Sequence, residues 1–229
     1  MKKLLSFAFI LCCAAIAAAQ ERVIDKTEFD SLVASGTSHR AIWKDEKYRM
    51  TITTSSKAGG PSGTDWSSKI IIEYGSTTET RSFSSSVFNS NARPTNESLR
   101  VGEWVYSRTG DGPWTKKKFE TAAQKEREPS PMELIGATTE YKYLGPGTFR
   151  DVPVQIYVKT ERTTKVGKTT GQNMETDAKV TYWIDSNGTV LKSEYSSENR
   201  GASVTSRTLI TTVWERDPSI KFTPPEIVS

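Results

Sequence analysis

From Tyr48 onward the chain alternates apolar and polar positions. Tyr48-Arg49-Met50-Thr51-Ile52-Thr53 sets Met50 and Ile52 two residues apart, which is the period of a strand with one apolar face. The same period recurs in Ile70, Ile72 and Tyr74, in Trp104 and Tyr106, and in Val154, Ile156 and Val158. It appears again in Val180, Tyr182 and Ile184. Val23 to Gly36 breaks it. Phe29, Leu32 and Val33 fall at i, i+3, i+4, Asp25 stands where a helix cap belongs with Glu28 three residues on, and Gly36 is a stop. A second helix is expected over Phe119 to Glu128, stopped by Pro129 and Pro131, with a short helical turn at Met132-Glu133-Leu134-Ile135. Glu79 to Val87 is rich in serine and threonine and fits an exposed strand.

Turn chemistry places the punctuation. Gly110-Asp111-Gly112-Pro113 marks a tight turn, and Gly145-Pro146-Gly147 is expected to end a strand running from Thr139 to Leu144. Lys165 to Thr176 reads as a polar hairpin tip. Asn187-Gly188 between alternating segments is the strongest hairpin signal in the chain. With about eight to eleven strands and few helices, the class is α+β. One strongly curved antiparallel sheet, an unclosed half-barrel with helices over its concave face, is favoured. A two-sheet sandwich competes with it.

On that scaffold the alternating rows become candidates for a cavity lining: Ile70, Ile72, Tyr74, Trp104, Tyr106, Val154, Ile156, Tyr182 and Ile184. Large rings and aliphatics on an inward face make an apolar pocket. On spacing alone, the same rows packing a closed core is the stronger reading.

The N-terminus fixes a compartment. Lys2 and Lys3 precede an apolar segment from Leu4 to Ile16, and Ala17-Ala18-Ala19 follows, the order of a cleavable secretory signal. Cleavage after Ala19 leaves residues 20–229 as one β domain in the periplasm or the extracellular medium. Both cysteines, Cys12 and Cys13, leave with the signal, as does half of the formal +4 charge. Thiol nucleophiles and thiolate metal sites go with them. The remaining charge is spread along the chain, so no concentrated basic face of the nucleic-acid-binding kind is expected.

Catalytic equipment is sparse. The one histidine, His39, has no flanking motif and no Gly-x-Ser-x-Gly elbow to serve. Glu73, Glu103, Glu161, Asp177, Asp185 and Glu194 are scattered over strands, as on solvated sheet faces. No catalytic residue, metal ligand or cofactor is assigned. Lys116-Lys117-Lys118 beside Trp114 and Phe119 has a functional reading, contact with anionic lipid headgroups at a membrane surface. A solvated strand end is preferred.

Several segments together resemble the LolA-like lipoprotein-carrier superfamily, which includes the LppX and LprG lipoproteins and the sensor domain of RseB-type regulators. The resemblance lies in Glu103 to Arg108 with Gly110 to Lys116, in Tyr143-Leu144-Gly145 through Asp151-Val152-Pro153-Val154 to Tyr157, in Tyr182-Trp183-Ile184-Asp185 with Gly188 and Leu191 to Glu194, and in Ile220 to Pro225. It implies an unclosed β-barrel whose helices lid a cavity for acyl chains. The expected function is therefore a non-enzymatic carrier for a lipid, a lipoprotein acyl chain or another hydrophobic molecule. A protein-interaction or envelope-stress sensing domain on the same scaffold is the alternative, and an exported hydrolase ranks below both.

Overall fold

The computed structural model describes residues 21–37, 46–59, 63–76, 78–120, 132–202 and 205–227, with the side chains of 34–37 excepted. The signal segment, His39, Trp43 and residues 121–128 of the expected second helix lie outside them. In chain order the elements are β1 (Arg22–Ile24), α1 (Lys26–Thr37), β2 (Tyr48–Ala58), β3 (Asp65–Ser76) and β4 (Glu79–Phe88). They continue with β5 (Asn91–Ala92), β6 (Asn96–Val101), β7 (Trp104–Thr109), β8 (Thr115–Lys118) and β9 (Met132–Phe149). The last four are β10 (Val152–Gly167), β11 (Asn173–Ile184), β12 (Val190–Arg200) and β13 (Thr205–Arg216).

All strands join one antiparallel, unclosed sheet, ordered β1-β9-β10-β11-β12-β13-β2-β3-β4-β6-β7-β8, with β5 on β4. The curved half-barrel fits this order. Most chain neighbours pair as hairpins, while β13 returns to pair with β2 in the middle of the sheet and β1 pairs with β9 at its edge. The Asn-Gly hairpin forms as its sequence dictates. Gly188 takes φ +79°, and Asp185 Oδ1 accepts hydrogen bonds from Asn187 N at 2.9 Å and Thr189 N at 2.8 Å.

α1 is the only helix among the described residues. Its cap is Asp25, whose Oδ1 accepts from Glu28 N at 2.7 Å. Arg22-Val23-Ile24 is not part of the helix, because it pairs with Tyr141 to Tyr143 of β9. The helix buries Phe29 and Val33 over one strip of the sheet, so helices spread across a concave face are not what the described residues present.

Four further expectations change. Met132 to Ile135 is strand, because Met132, Glu133 and Leu134 pair with Gly167, Val166 and Lys165; a long partner strand overrides weak local helix preference. Gly145-Pro146-Gly147 does not end its strand. β9 runs on through it with Leu144 as the extra residue of a bulge and Gly145 at φ +105°. Gly147 keeps the ladder tight, since a Cβ there would lie 2.7 Å from Ile156 Cδ1. The polar tip is much shorter than Lys165 to Thr176: β10 reaches Gly167 and β11 starts at Asn173. Phe119, placed in a helix by its sequence, instead extends β8, its N donating to Glu103 O at 2.7 Å.

Candidate functional site

The registers sort every strand residue onto one of two faces. Tyr143, Tyr157 and Tyr182 stand opposite one another on β9, β10 and β11. The next row runs Tyr141, Lys159, Val180, Tyr195 and Ile210 before reaching Thr54 and Ser68. Both rows share the face on which α1 sits. Phe29 lies 4.8 Å from the Tyr141 ring and 5.9 Å from that of Tyr182, and Tyr143 lies 5.2 Å from Tyr157. Ile24, Phe29, Val33, Tyr157, Ile184 and Val190 close this as the buried core, with Leu32 and Trp214 against it. Burial raises the phenol pKa of Tyr157 and of Tyr182, so both stay protonated and uncharged under the helix. Tyr143 donates to Gln155.

On the same face, one row past the tyrosines, the sheet holds a concavity of about 510 Å³. Ala178, Val180, Tyr195, Met174 and Leu134 supply its apolar surface, and Lys159, Glu161, Thr163, Lys165, Thr176 and Asn199 its polar surface. Leu134 is 55% exposed there. Lys159 Nζ pairs with Glu161 Oε2 at 2.8 Å, whose hydrogen bond raises the lysine's pKa. Lys165 has no carboxylate partner among the described residues.

The opposite face carries a larger concavity, about 760 Å³, over β9 to β2. Its chemistry is different. A chain of ion pairs crosses it from Arg162 to Asp177 at 2.6 Å, Asp177 to Arg200 at 2.6 Å, Arg200 to Glu198 at 3.0 Å and Glu198 to Arg207 at 3.1 Å. Hydrogen bonds from Arg162 and then Arg200 hold Asp177 below the ordinary carboxylate range, and those of Arg200 and Arg207 do the same to Glu198. An apolar molecule there would strip water from these charges and return nothing for it. The smaller concavity carries fewer charged side chains, Lys159, Glu161 and Lys165.

The registers also divide the apolar candidates. Ile70, Ile72, Tyr74, Tyr182 and Ile184 lie on the helix-bearing face. Trp104, Tyr106, Val154 and Ile156 lie on the other. They do not form one surface, and none borders either concavity. The floor residues Val180, Tyr195, Met174 and Leu134 carry the site instead. Val180 was legible from its alternation with Tyr182 and Ile184; Leu134 was hidden inside a segment that reads as helix. The apolar belt stops at β3. Beyond it, the same face of β4, β6 and β7 presents Ser82, Ser84, Ser98 and Ser107. No group of three or more His, Cys, Asp or Glu is placed to hold a metal ion among the described residues.

No family model matches the chain, and no curated protein does. Solved structures do. A LolA superfamily protein from Nitrosomonas europaea aligns over 85% of this chain and 97% of its own, at 8% identity and a TM-score of 0.28. A putative outer membrane lipoprotein-sorting protein domain from Vibrio parahaemolyticus covers 82% and 95%, at 9% identity and 0.26. A KdgM porin in complex with disordered oligogalacturonate covers 73% and 97%, at 10% and 0.18. The likeness is to LolA superfamily structures. TM-scores of this size transfer no site and no ligand from those proteins to this chain.

Proposed function

We propose that this chain is an exported, non-enzymatic carrier that holds an acyl-bearing molecule on the helix-bearing face of its half-barrel. One observation carries the reading: the concavity floored by Ala178, Val180, Tyr195, Met174 and Leu134 adjoins the tyrosine row under α1 and ends at Lys165, an ammonium with no carboxylate partner among the described residues. Its volume of about 510 Å³ falls in the usual range for a small-molecule pocket. The acyl chain lies along the floor, each buried methylene contributing about 0.8 kcal/mol, and an anionic head faces Lys165. Ile210, Ile52, Ile70 and Ile72 extend the same face for a longer tail, while Tyr182 and Ile184 belong to the end wall under α1. Trp104, Tyr106, Val154 and Ile156 are not part of this site. In this reading the signal is cleaved after Ala19, and helical segments cover the concave face once cargo is bound.

The test is uptake of a fluorescent fatty acid by the purified mature chain. Val180→Asp and Tyr195→Asp each place a carboxylate on the floor and weaken uptake by at least about tenfold, a loss of roughly 1.4 kcal/mol. Lys165→Glu weakens the fatty acid but not its uncharged methyl ester. Equal uptake by wild type and both aspartate variants, or no uptake at all, removes the proposal.

A further inference from the structure

The end of the sheet formed by β6, β7 and β8 is left unused by the site above. Its helix-side face carries Ser98, Ser107 and Thr115 with Arg100, Val105 and Lys117, its opposite face carries Trp104, Tyr106 and Lys116, and its edge strand β8 is exposed at every residue. Along this edge each aromatic ring is paired with a cation. Lys116 Nζ sits 4.1 Å from the centroid of the Trp104 ring and 5.7 Å from that of Tyr106. Arg108 lies 4.7 Å over Trp114, and Arg100 lies 3.5 Å over Phe119. Trp104 and Phe119 remain 36% and 38% exposed.

The ion pairs leave a surplus at the edge. Arg108 is matched by Glu97 at 2.8 Å and Lys118 by Glu103 at 3.2 Å. Lys116, Lys117 and Arg100 have no carboxylate partner among the described residues. The nearest other acids in sequence, Asp111 and Glu120, are exposed in the turn and past the strand end. Lysines on an edge strand block edge-to-edge pairing, which accounts for the ammonium groups. It does not account for half-exposed Trp and Phe rings set among them. Amphipathic rings interleaved with cations match the boundary between lipid headgroups and acyl chains.

We infer that the β7–β8 edge, through Lys116, Lys117 and Arg100 with Trp104 and Phe119, docks this chain onto an anionic lipid bilayer surface. A soluble polyanion would satisfy the cations and leave the rings in water, so the bilayer is the better partner. The contact is peripheral, and it is independent of the carrier reading because the edge shares no residue with the proposed acyl site.

Co-sedimentation of the mature chain with phosphatidylcholine vesicles, with and without phosphatidylglycerol, tests it. Binding is expected only to the anionic vesicles and is expected to fall steeply with salt. Each cation near such a surface is worth about fivefold in affinity, so Lys116→Gln, Lys117→Gln and Arg100→Gln together weaken binding by about 100-fold. Trp104→Ser with Phe119→Ser weakens vesicle binding and leaves any binding of dextran sulfate unchanged. These positions are exposed or edge-lying, so the melting temperature of each variant is the check on folding. Equal binding to neutral vesicles, retention by the triple variant, or equal loss of vesicle and dextran sulfate binding in the ring variant overturns the inference.

Discussion

Replacing Phe29 by alanine removes the side chain that fixes α1 to the sheet. Phe29 is 4% exposed and touches the rings of Tyr141 and Tyr182. Truncating a buried Phe to Ala costs about 3–5 kcal/mol, the lost transfer energy plus the cavity left behind. Leu32 is only partly buried and Val33 is smaller, so neither refills the space between the two tyrosines. A loss near the middle of that range, about 4 kcal/mol, corresponds to roughly 8–16 °C in melting temperature for a chain of this size. Far-UV circular dichroism gives the melting curve, near-UV signals follow the tyrosines, and the raised pKa of Tyr182 falls as it gains water. Phe29→Leu keeps most of the apolar volume and recovers more than half of the loss. A shift under about 3 °C with unchanged tyrosine titration would show that α1 is not held by this contact.

Three other outcomes follow from the packing on the opposite face. Glu73 is 7% exposed and joins Arg49 at 2.7 Å and Arg81 at 3.7 Å, while Arg49 reaches Asp217 at 3.0 Å. Glu73→Gln leaves two guanidinium groups without their shared anion and costs about 3 kcal/mol in urea unfolding, the low end for a broken buried pair because Arg49 still reaches water. At Gly75 a Cβ would lie 2.4 Å from Phe222 Cε2, so Gly75→Ala swings that ring away. Trypsin then cuts at Lys221 several-fold faster, and an unchanged rate would place the strain elsewhere. Asp177, Glu198 and Asp217 all titrate below their ordinary values, through hydrogen bonds from Arg162, Arg200 and Ser219 respectively. The folded chain thus binds these protons less readily than the unfolded one. Their contribution is full above about pH 5 and lost as pH falls through about 4 and below. The melting-temperature gap between wild type and Asp177→Asn/Glu198→Gln should narrow from pH 7 to pH 3; a constant gap contradicts the assignment.

Local features were legible in the sequence because they depend on few residues. Asp25 caps α1, Phe29 and Val33 share its buried face, and Gly188 takes the left-handed turn that Asn187-Gly188 demands. What depends on pairing was not. Leu144, Ile135, Leu191 and Gly75 are each passed over in their ladders as bulge residues. Each extra residue reverses which face the following side chains occupy. Alternation therefore found the rows of Ile70 with Ile72 and of Trp104 with Tyr106, but had no means of telling that they face opposite ways. Met132 to Ile135 read as helix because the strand that orders it, the far end of β10, itself read as a polar tip. The site floor is assembled from those two misread segments together with β11 and β12.

A spin-labelled fatty acid tests directly whether cargo lies on the helix-bearing face. With the label on the chain terminus, NMR signals of Ala178, Val180 and Tyr195 should broaden, with a weaker effect at Ile210 and none at Leu209 or Ser196 across the sheet. Broadening centred on Leu209, Ser196 and Lys57, or an undisturbed spectrum at saturating fatty acid, would contradict the account.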